Sequence, residues 1–525
     1  MGQLNIKNQQ LQTNKAAPAP SKNNSQENTG MKHGEPEPGS QPARSGYYRM
    51  FDLAGTRFKR EALLALAKAQ GRPQEQPEGS KLPAGYTYFG QFVDHDITRL
   101  ARGSTAPESG PVPTADLVQE ATPALDLDSV YGADWHERDV ELDRKTGKFT
   151  SNATDSQGLI YDLPRGRGRS GLLARIPDRR NDENFNIAQL HVFFLNLHKA
   201  LIDIYSNDRP ELTPQEKYLA ARREVVLLYQ GIVKYDFLQR ILHGPVYQEL
   251  LKPGSQTWLS AIRGEDARIP IEFAGAAYRF GHALVRKKYQ LKAGKKPVKL
   301  RKLFLLTGNG GRITPAKARK FRIDWRFFFD FTAHGISRKP IEARPVTTFL
   351  VRPLQKLVED LGDGPNLIVR NLLRGREIDL PDAQSIIAEI RFRNEDYANS
   401  IGLQVLNPGE LRKHKIGETL AQWGMDKRTP LWTYILMEPS FPNGQFNDDD
   451  VPIEARLGIL GSVIVGEVFR SLLITSSPSI CFSDESRLLL PGRLGKRIKD
   501  IQLADLIQYA HNYREGDENG DTGAN

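Results

Sequence analysis

The stretch Gly90-Gln91-Phe92-Val93-Asp94-His95-Asp96-Ile97-Thr98 decides how the rest of the chain is read. At roughly 100° per residue, a helix places Gln91, Asp94 and His95 on one face and turns Asp96 to another. An imidazole beside an amide and a carboxylate is suited to acid–base work. The plainer alternative is an exposed polar helix with a structural histidine.

Outward from this stretch, the chain reads as helix. The segments 185–205, 213–241, 345–361, 382–396 and 453–473 have helical apolar periodicity and predict helices. Alternating strand patterns are scarce, and Pro- and Gly-rich loops at 73–85 and 106–113 separate the helical segments. A large helical body points to an α-bundle core, an architecture often built around a buried cofactor. Residues 1–45 are rich in Asn, Gln, Pro, Ser and Lys and predict a disordered tail; 513–525 predict a short acidic one. The body, 46–512, has no fixed-period repeat and is read as a single domain.

Composition narrows the classes further. Of 525 residues, 39% are apolar and 26% charged, as in an ordinary globular protein. Lys plus Arg number 73 against 63 Asp plus Glu, a net charge of +10, which is weak grounds for nucleic-acid binding. The lone Cys481 excludes an intramolecular disulfide framework and any multi-cysteine metal centre. No apolar run is long enough to span a membrane, and no Sec-type signal is visible. The expectation is a soluble protein, cytoplasmic or exported by another route.

Four further segments carry chemistry. In 122–128, oxygen donors recur at Thr122, Asp126 and Asp128, with the Ala124 carbonyl between them. With Asp96 they could supply the six to eight oxygens that calcium takes. The segment Asp178-Arg179-Arg180-Asn181-Asp182-Glu183-Asn184-Phe185 puts Arg180 and Glu183 at i, i+3. Finally, Ala277-Tyr278-Arg279-Phe280-Gly281-His282 presents a histidine beside a glycine, and Asn371-Leu372-Leu373-Arg374 follows about 90 residues later.

Together these motifs resemble, in order, those of animal-type haem peroxidases, the peroxidase–cyclooxygenase superfamily, over residues 50–475 or so. The absence of a signal peptide and disulfides is similar to bacterial-type members. The resemblance implies a predominantly α-helical domain around a buried haem. It makes His95 the distal acid–base residue, Gln91 its neighbour in the cavity and Arg180 the charge that polarises peroxide. Asp94 and Glu183 would be esterified to the haem, a derivative of haem b. His282 would ligate the iron, Asn371 would accept its Nδ1 proton, and Arg279 and Arg374 would hold the propionates. Asp96, Thr122, Ala124, Asp126 and Asp128 would bind calcium. Asp128 departs from the family's usual Ser, and Glu377-Ile378-Asp379 from its usual continuation after the Arg. One branch of the family carries Met directly after the esterified Glu and forms a sulfonium link; Asn184 cannot. Bromide, iodide and thiocyanate are therefore expected over chloride.

The partners implied are hydrogen peroxide and a small anionic or phenolic reductant, with a role in oxidative stress. A fatty-acid oxygenase of the same superfamily is the alternative, but its radical Tyr three residues before the proximal His is replaced by Arg279. A third reading is a basic helical nucleic-acid-binding scaffold using 286–302, where nine Lys or Arg cluster. A solvated basic loop is the simpler reading of that run. His191 and His198 are read as buried structural residues, Gly308–Gly311 as a turn, and Cys481 as a small hydrophobe.

Overall fold

The Gly85–Ile97 helix forms where the opening stretch predicts one, and most of its circumference is buried. Tyr86, Tyr88, Phe89, Phe92, Val93 and Ile97 pack into the core, leaving Gly90, Gln91 and Asp94 partly accessible. Phe92 stacks on Phe194 with ring centroids 4.8 Å apart, and Phe89 meets Phe237 edge-on at 5.4 Å. Each such fully buried ring contributes roughly 1.5–3 kcal/mol through removal from water. The aromatic side thus fixes the helix, and the Gln91/Asp94/His95 side is left for chemistry.

The computed structural model describes residues 46–511 apart from 73–78, 103–109, 169–170, 253–267, 309–312, 358–363 and 448–453. The tails read at 1–45 and 513–525 lie outside the described residues, as does most of the Gly308–Gly311 turn. The described body is mostly helical, with strands confined to four two-stranded antiparallel ribbons among the described residues.

The 24-residue helix Phe185–Asp208 is the central support. Asn184 caps it by accepting from the Ile187 N–H, and nearly every residue of its first four turns is buried. It packs against both the Gly85–Ile97 helix and the Pro214–Gly231 helix. The latter starts with a full capping box, Thr213 with Glu216, and Pro214 at its first turn. The sequence reading runs one helix through 213–241. Instead the backbone widens into a π-helical turn at Ile232–Phe237 before resuming at Leu238–Ile241. At Gly231, just before the change, a Cβ would meet Ile498 Cγ2 at 2.5 Å, so close packing holds a glycine there. The π turn carries Phe237 to the wall of the site.

The segment 382–396 resolves into Ala383–Arg393 and Glu395–Ser400, capped by Asp382 and Asn394. That of 453–473 becomes Ile459–Thr475, whose opening N–H groups at Leu460 and Gly461 donate to the buried Glu438 carboxylate. The expected helix at 345–361 is a correction. Only Arg352–Gln355 is helical there, and 358–363 lie outside the described residues. Val346, Thr347, Thr348, Leu350 and Val351 are buried in irregular backbone, so their apolar pattern reports burial without helix. Pro353, mid-way along the expected helix, lacks the N–H that a continuous helix would need and instead stands in the first turn of Arg352–Gln355.

Candidate active site

One cavity of about 410 Å³ collects side chains from three of the four motifs that precede residue 300. Gln91, Asp94 and His95 come from the Gly85–Ile97 helix, and Arg180, Glu183 and Asn184 from the entry to Phe185–Asp208. Tyr278, Arg279, Gly281 and His282 come from the Ala277–Leu284 segment. That last segment is a run of 3₁₀ turns.

His95 is almost fully buried. Burial, reinforced by the Arg180 guanidinium, pushes its imidazole down to about 3, so the ring is neutral at physiological pH. Its Nδ1 lies 3.0 Å from Asn181 Oδ1, and Asn181 Nδ2 lies 3.2 Å from His191 Nδ1. His95 Nε2 is 3.7 Å from a Glu183 oxygen. Asn184 Nδ2 donates to Gln91 Oε1 at 3.2 Å, which ties the helix cap to the cavity amide. Asp94 accepts from the Thr98 hydroxyl at 3.0 Å, and burial raises its carboxyl above the usual range.

Arg180 stands on the wall but is firmly anchored. Its guanidinium ion-pairs with Asp178 at 2.6 Å and donates to the carbonyls of Thr98 and His95 at 2.6 and 2.7 Å. Against the cost of burial, that guanidinium holds the Asp178 carboxyl below its ordinary range. Nη1, bonded to Thr98, keeps donor capacity to spare.

His282 is likewise neutral, pushed to about 3 by burial and then by Arg279. Asn371 reaches it from the Leu367–Glu377 helix at 3.1 Å, but with polarity opposite to the sequence reading. The Asn371 nitrogen faces His282 Nδ1, because Asn371 Oδ1 accepts from Arg279 Nη1 at 2.9 Å. Arg279 also donates to the Ala274 carbonyl, so it is bonded within the protein. Arg374 does not line the cavity; it pairs with Glu377 at 3.0 Å, while Arg370, one turn earlier, stands on the wall.

Behind the Gly85–Ile97 helix, the carboxylates of Asp96, Asp126 and Asp128 converge, one oxygen of each lying within 4.8 Å of the others. Burial raises all three; repulsion within the cluster adds to Asp96 and Asp126, the latter reaching about 7, and Asp178 adds to Asp128. Leu127 between them takes a left-handed φ of 56°, which folds the loop back on Asp96. The Leu127 N–H and Ser129 hydroxyl donate to Asp96 at 3.3 and 3.1 Å. Thr122 N–H donates to Asp128 at 3.2 Å, and the Thr122 carbonyl accepts from Ala124 N–H, closing the loop.

Asn181, Ser129, Phe237 and Arg370 escape the sequence reading. The first two sit beside residues it selects, so adjacency was the available signal; Phe237 arrives only through the π turn. His191 and His198 are buried as expected, yet His191 touches the distal network, and His198 bonds to Tyr131 and the Gly147 carbonyl. The basic segment bounds a separate cleft with Arg319, Lys320 and Arg322. Cys481 is half-buried, 3.7 Å from Lys234 Nζ. Among the described residues no helix is long and apolar enough to cross a membrane.

The family model for the animal haem peroxidase domain matches residues 99–394, a span that holds Arg180, His282, Asn371 and Arg374 and begins just after His95. A peroxidase-like protein of Margaritifera margaritifera is 27% identical over 251 residues, 38% of this chain and 31% of the relative. The chain thus spans about a third of that relative's length. Among solved structures, peroxidase A from Dictyostelium discoideum aligns with a TM-score of 0.58 at 15% identity, covering 88% of this chain and 95% of its own. The Arabidopsis thaliana fatty acid alpha-dioxygenase aligns with a TM-score of 0.56 at 14% identity, covering 89% and 78%. Identities this low speak for a shared fold alone. The family match spans more than half of the sequence, and with it the chain belongs to the animal haem peroxidase family, a family of haem-dependent oxidoreductases.

Proposed function

We propose that this chain is a haem peroxidase that uses hydrogen peroxide to oxidise iodide, bromide, thiocyanate or small phenols. The observation that carries the reading is two neutral histidines, the buried His95 and the partly buried His282, on the wall of one cavity beside an anchored arginine. The site fits a haem. A neutral imidazole is the ligating form. A Cβ built on Gly281 would meet nothing within 4 Å, so there is open space next to His282. Asp94 and Glu183 on the same wall are the candidate ester carboxylates.

Bound haem supplies the iron at which the peroxide O–O bond is broken and the oxidising equivalents are stored. The protein's part is proton handling and charge. His95 Nε2 accepts the peroxide proton and returns it to the departing oxygen. Arg180 Nη1 stabilises negative charge on that oxygen, its Asp178 and backbone contacts removing the need to reorganise. Peroxide takes two electrons and ends as water. A halide or thiocyanate gives both, leaving as the hypo-acid, or two phenols give one each. For His282 to ligate through Nε2, Nδ1 must carry the proton, and the Asn371 amide must turn its oxygen to the ring. Arg279, which holds that oxygen here, and Arg374 or Arg370 are then the cations for the propionates. The Asp96, Asp126 and Asp128 cluster, with Thr122 and Ala124 in its loop, is read as the calcium site; a dication offsets the cost of burying three carboxylates together, which raises them all.

A second reading, fatty-acid oxygenation, is favoured by the alpha-dioxygenase likeness and by Leu284, Val285, Leu300, Phe304 and Leu354 along the same cavity. Against it, Arg279 occupies the place of the radical tyrosine, and Tyr278 donates its hydroxyl to the Gly90 carbonyl, which cannot act as a base. Purified haem-loaded protein separates the two. Peroxide-dependent oxidation of iodide, thiocyanate or guaiacol, with chloride much slower at neutral pH, is the expected result. Oxygen uptake with palmitate, and no turnover of these reductants, would replace the reading by the second.

A further inference from the structure

We propose that Asn181 is a positioning residue which, oriented by His191, holds His95 in the one tautomer that can take a proton from peroxide. The inference rests on the haem peroxidase reading and assigns work to two residues outside the motif positions that define it. Asn181 is fully buried in the short 3₁₀ turn Arg179–Asp182, and its amide lies between two imidazoles. Its oxygen is 3.0 Å from His95 Nδ1 and its nitrogen 3.2 Å from His191 Nδ1.

A neutral imidazole carries one proton, on Nδ1 or on Nε2. With the amide oxygen against His95, the proton sits on Nδ1 and Nε2 presents its lone pair to the cavity. Turned over, the amide would give its N–H to Nδ1, force the His95 proton onto Nε2 and leave no base for peroxide. An amide alone has no means of choosing. His191 with its proton on Nε2 supplies the choice: its Nδ1 then accepts from the amide, so the N–H₂ points to His191 and the oxygen to His95. His191 is 1% exposed, and burial keeps its ring neutral, so one ring nitrogen remains an acceptor, and with the proton on Nε2 that nitrogen is Nδ1. Phe92 meets the His191 ring edge-on with centroids 6.4 Å apart, adding a second restraint on its plane. The Arg180 guanidinium, bonded to the His95 carbonyl, fixes the backbone of the same unit.

The test compares Asn181→Leu, Asn181→Asp and His191→Phe in the haem-loaded protein. Two rates are read: the peroxide step by stopped flow, and cyanide binding to the ferric haem, since HCN must also yield its proton to the distal base. Asn181→Leu should slow both by about 10²-fold, the lower end of what acid–base help is worth, with haem content and melting temperature near wild type. Asn181→Asp keeps an acceptor for the His95 Nδ1–H and should restore both rates to within about tenfold, a rescue that a packing role does not explain. His191→Phe, which removes the acceptor that orients the amide, should fall between. Should Asn181→Leu fail to bind haem, Asn181→Ser, polar but too short to reach Nδ1, takes its place with the same expected slowing. Wild-type rates in Leu or Ser, or an Asp variant as slow as Leu, would overturn the proposal. The parallel His95→Ala variant separates the levels: if it too keeps wild-type peroxide and cyanide rates, the haem peroxidase reading fails, and not merely the role of Asn181.

Discussion

At the scale of the residue, His95 and its neighbours divide labour by what each atom is already bonded to. Nδ1 of His95 and most of the Arg180 guanidinium are spent on the protein, so the groups left facing the cavity are a lone pair and a donor. His95→Ala should therefore slow the peroxide step by at least ~10²-fold while haem stays bound, because His282 is untouched; stopped-flow spectroscopy reads this, and an unaltered step would defeat the assignment. The carboxylates make a separate claim. Asp94 and Glu183 stand on the same wall, and if both form esters, haem from peroxide-treated protein should stay with the polypeptide in denaturing chromatography. Asp94→Val should lose one link; quantitative haem release from treated wild type would exclude the esters. Much of this was legible from spacing, since Gln91, Asp94 and His95 share a helical face wherever a helix forms. The polarity of the Asn371 amide was not, because it depends on competition from Arg279, an event in space and not in sequence.

At the scale of the element, apolar periodicity found the helices whose one face is buried and misread 345–361, where burial comes without helical hydrogen bonds. It also could not foresee the π turn at Ile232–Phe237, because one extra residue in a turn leaves composition unchanged. Two elements carry predictions. Glu438 caps Ile459–Thr475 from a buried position, and burial raises its carboxyl from 4.5 to about 7. A raised carboxyl favours the folded state at low pH, and that advantage is lost as pH climbs from the unfolded value through about 7. Glu438→Gln keeps an acceptor for the Leu460 N–H without the charge. Its melting temperature should exceed wild type at pH 8 and match it at pH 5; the reverse order in calorimetry would refute the account. The loop Thr122–Asp128 ties to the residue after His95 through Asp96. Stripping calcium should therefore lower the melting temperature and slow the peroxide step together; metal analysis that finds no calcium in active protein would remove the site.

At the scale of the whole molecule, the helices serve to bring segments near residues 90, 180, 280 and 370 to one place. The long Phe185–Asp208 helix supports the first two, and Asn371 joins the last two by bonding to His282. The order of motifs along the chain was readable from sequence because each keeps its spacing. Their convergence, and the inclusion of Arg370 in place of Arg374 on the wall, needed the fold. The account's central claim is that this convergence is a haem site with His282 on the iron. The most direct measurement is the absorption spectrum of the purified ferric protein beside that of His282→Ala, each before and after peroxide. The account predicts a Soret band in the wild type that changes on adding peroxide, and its loss or a large shift in His282→Ala. No Soret band in haem-supplied wild-type protein, or a variant with the wild-type spectrum and the same response to peroxide, would contradict it.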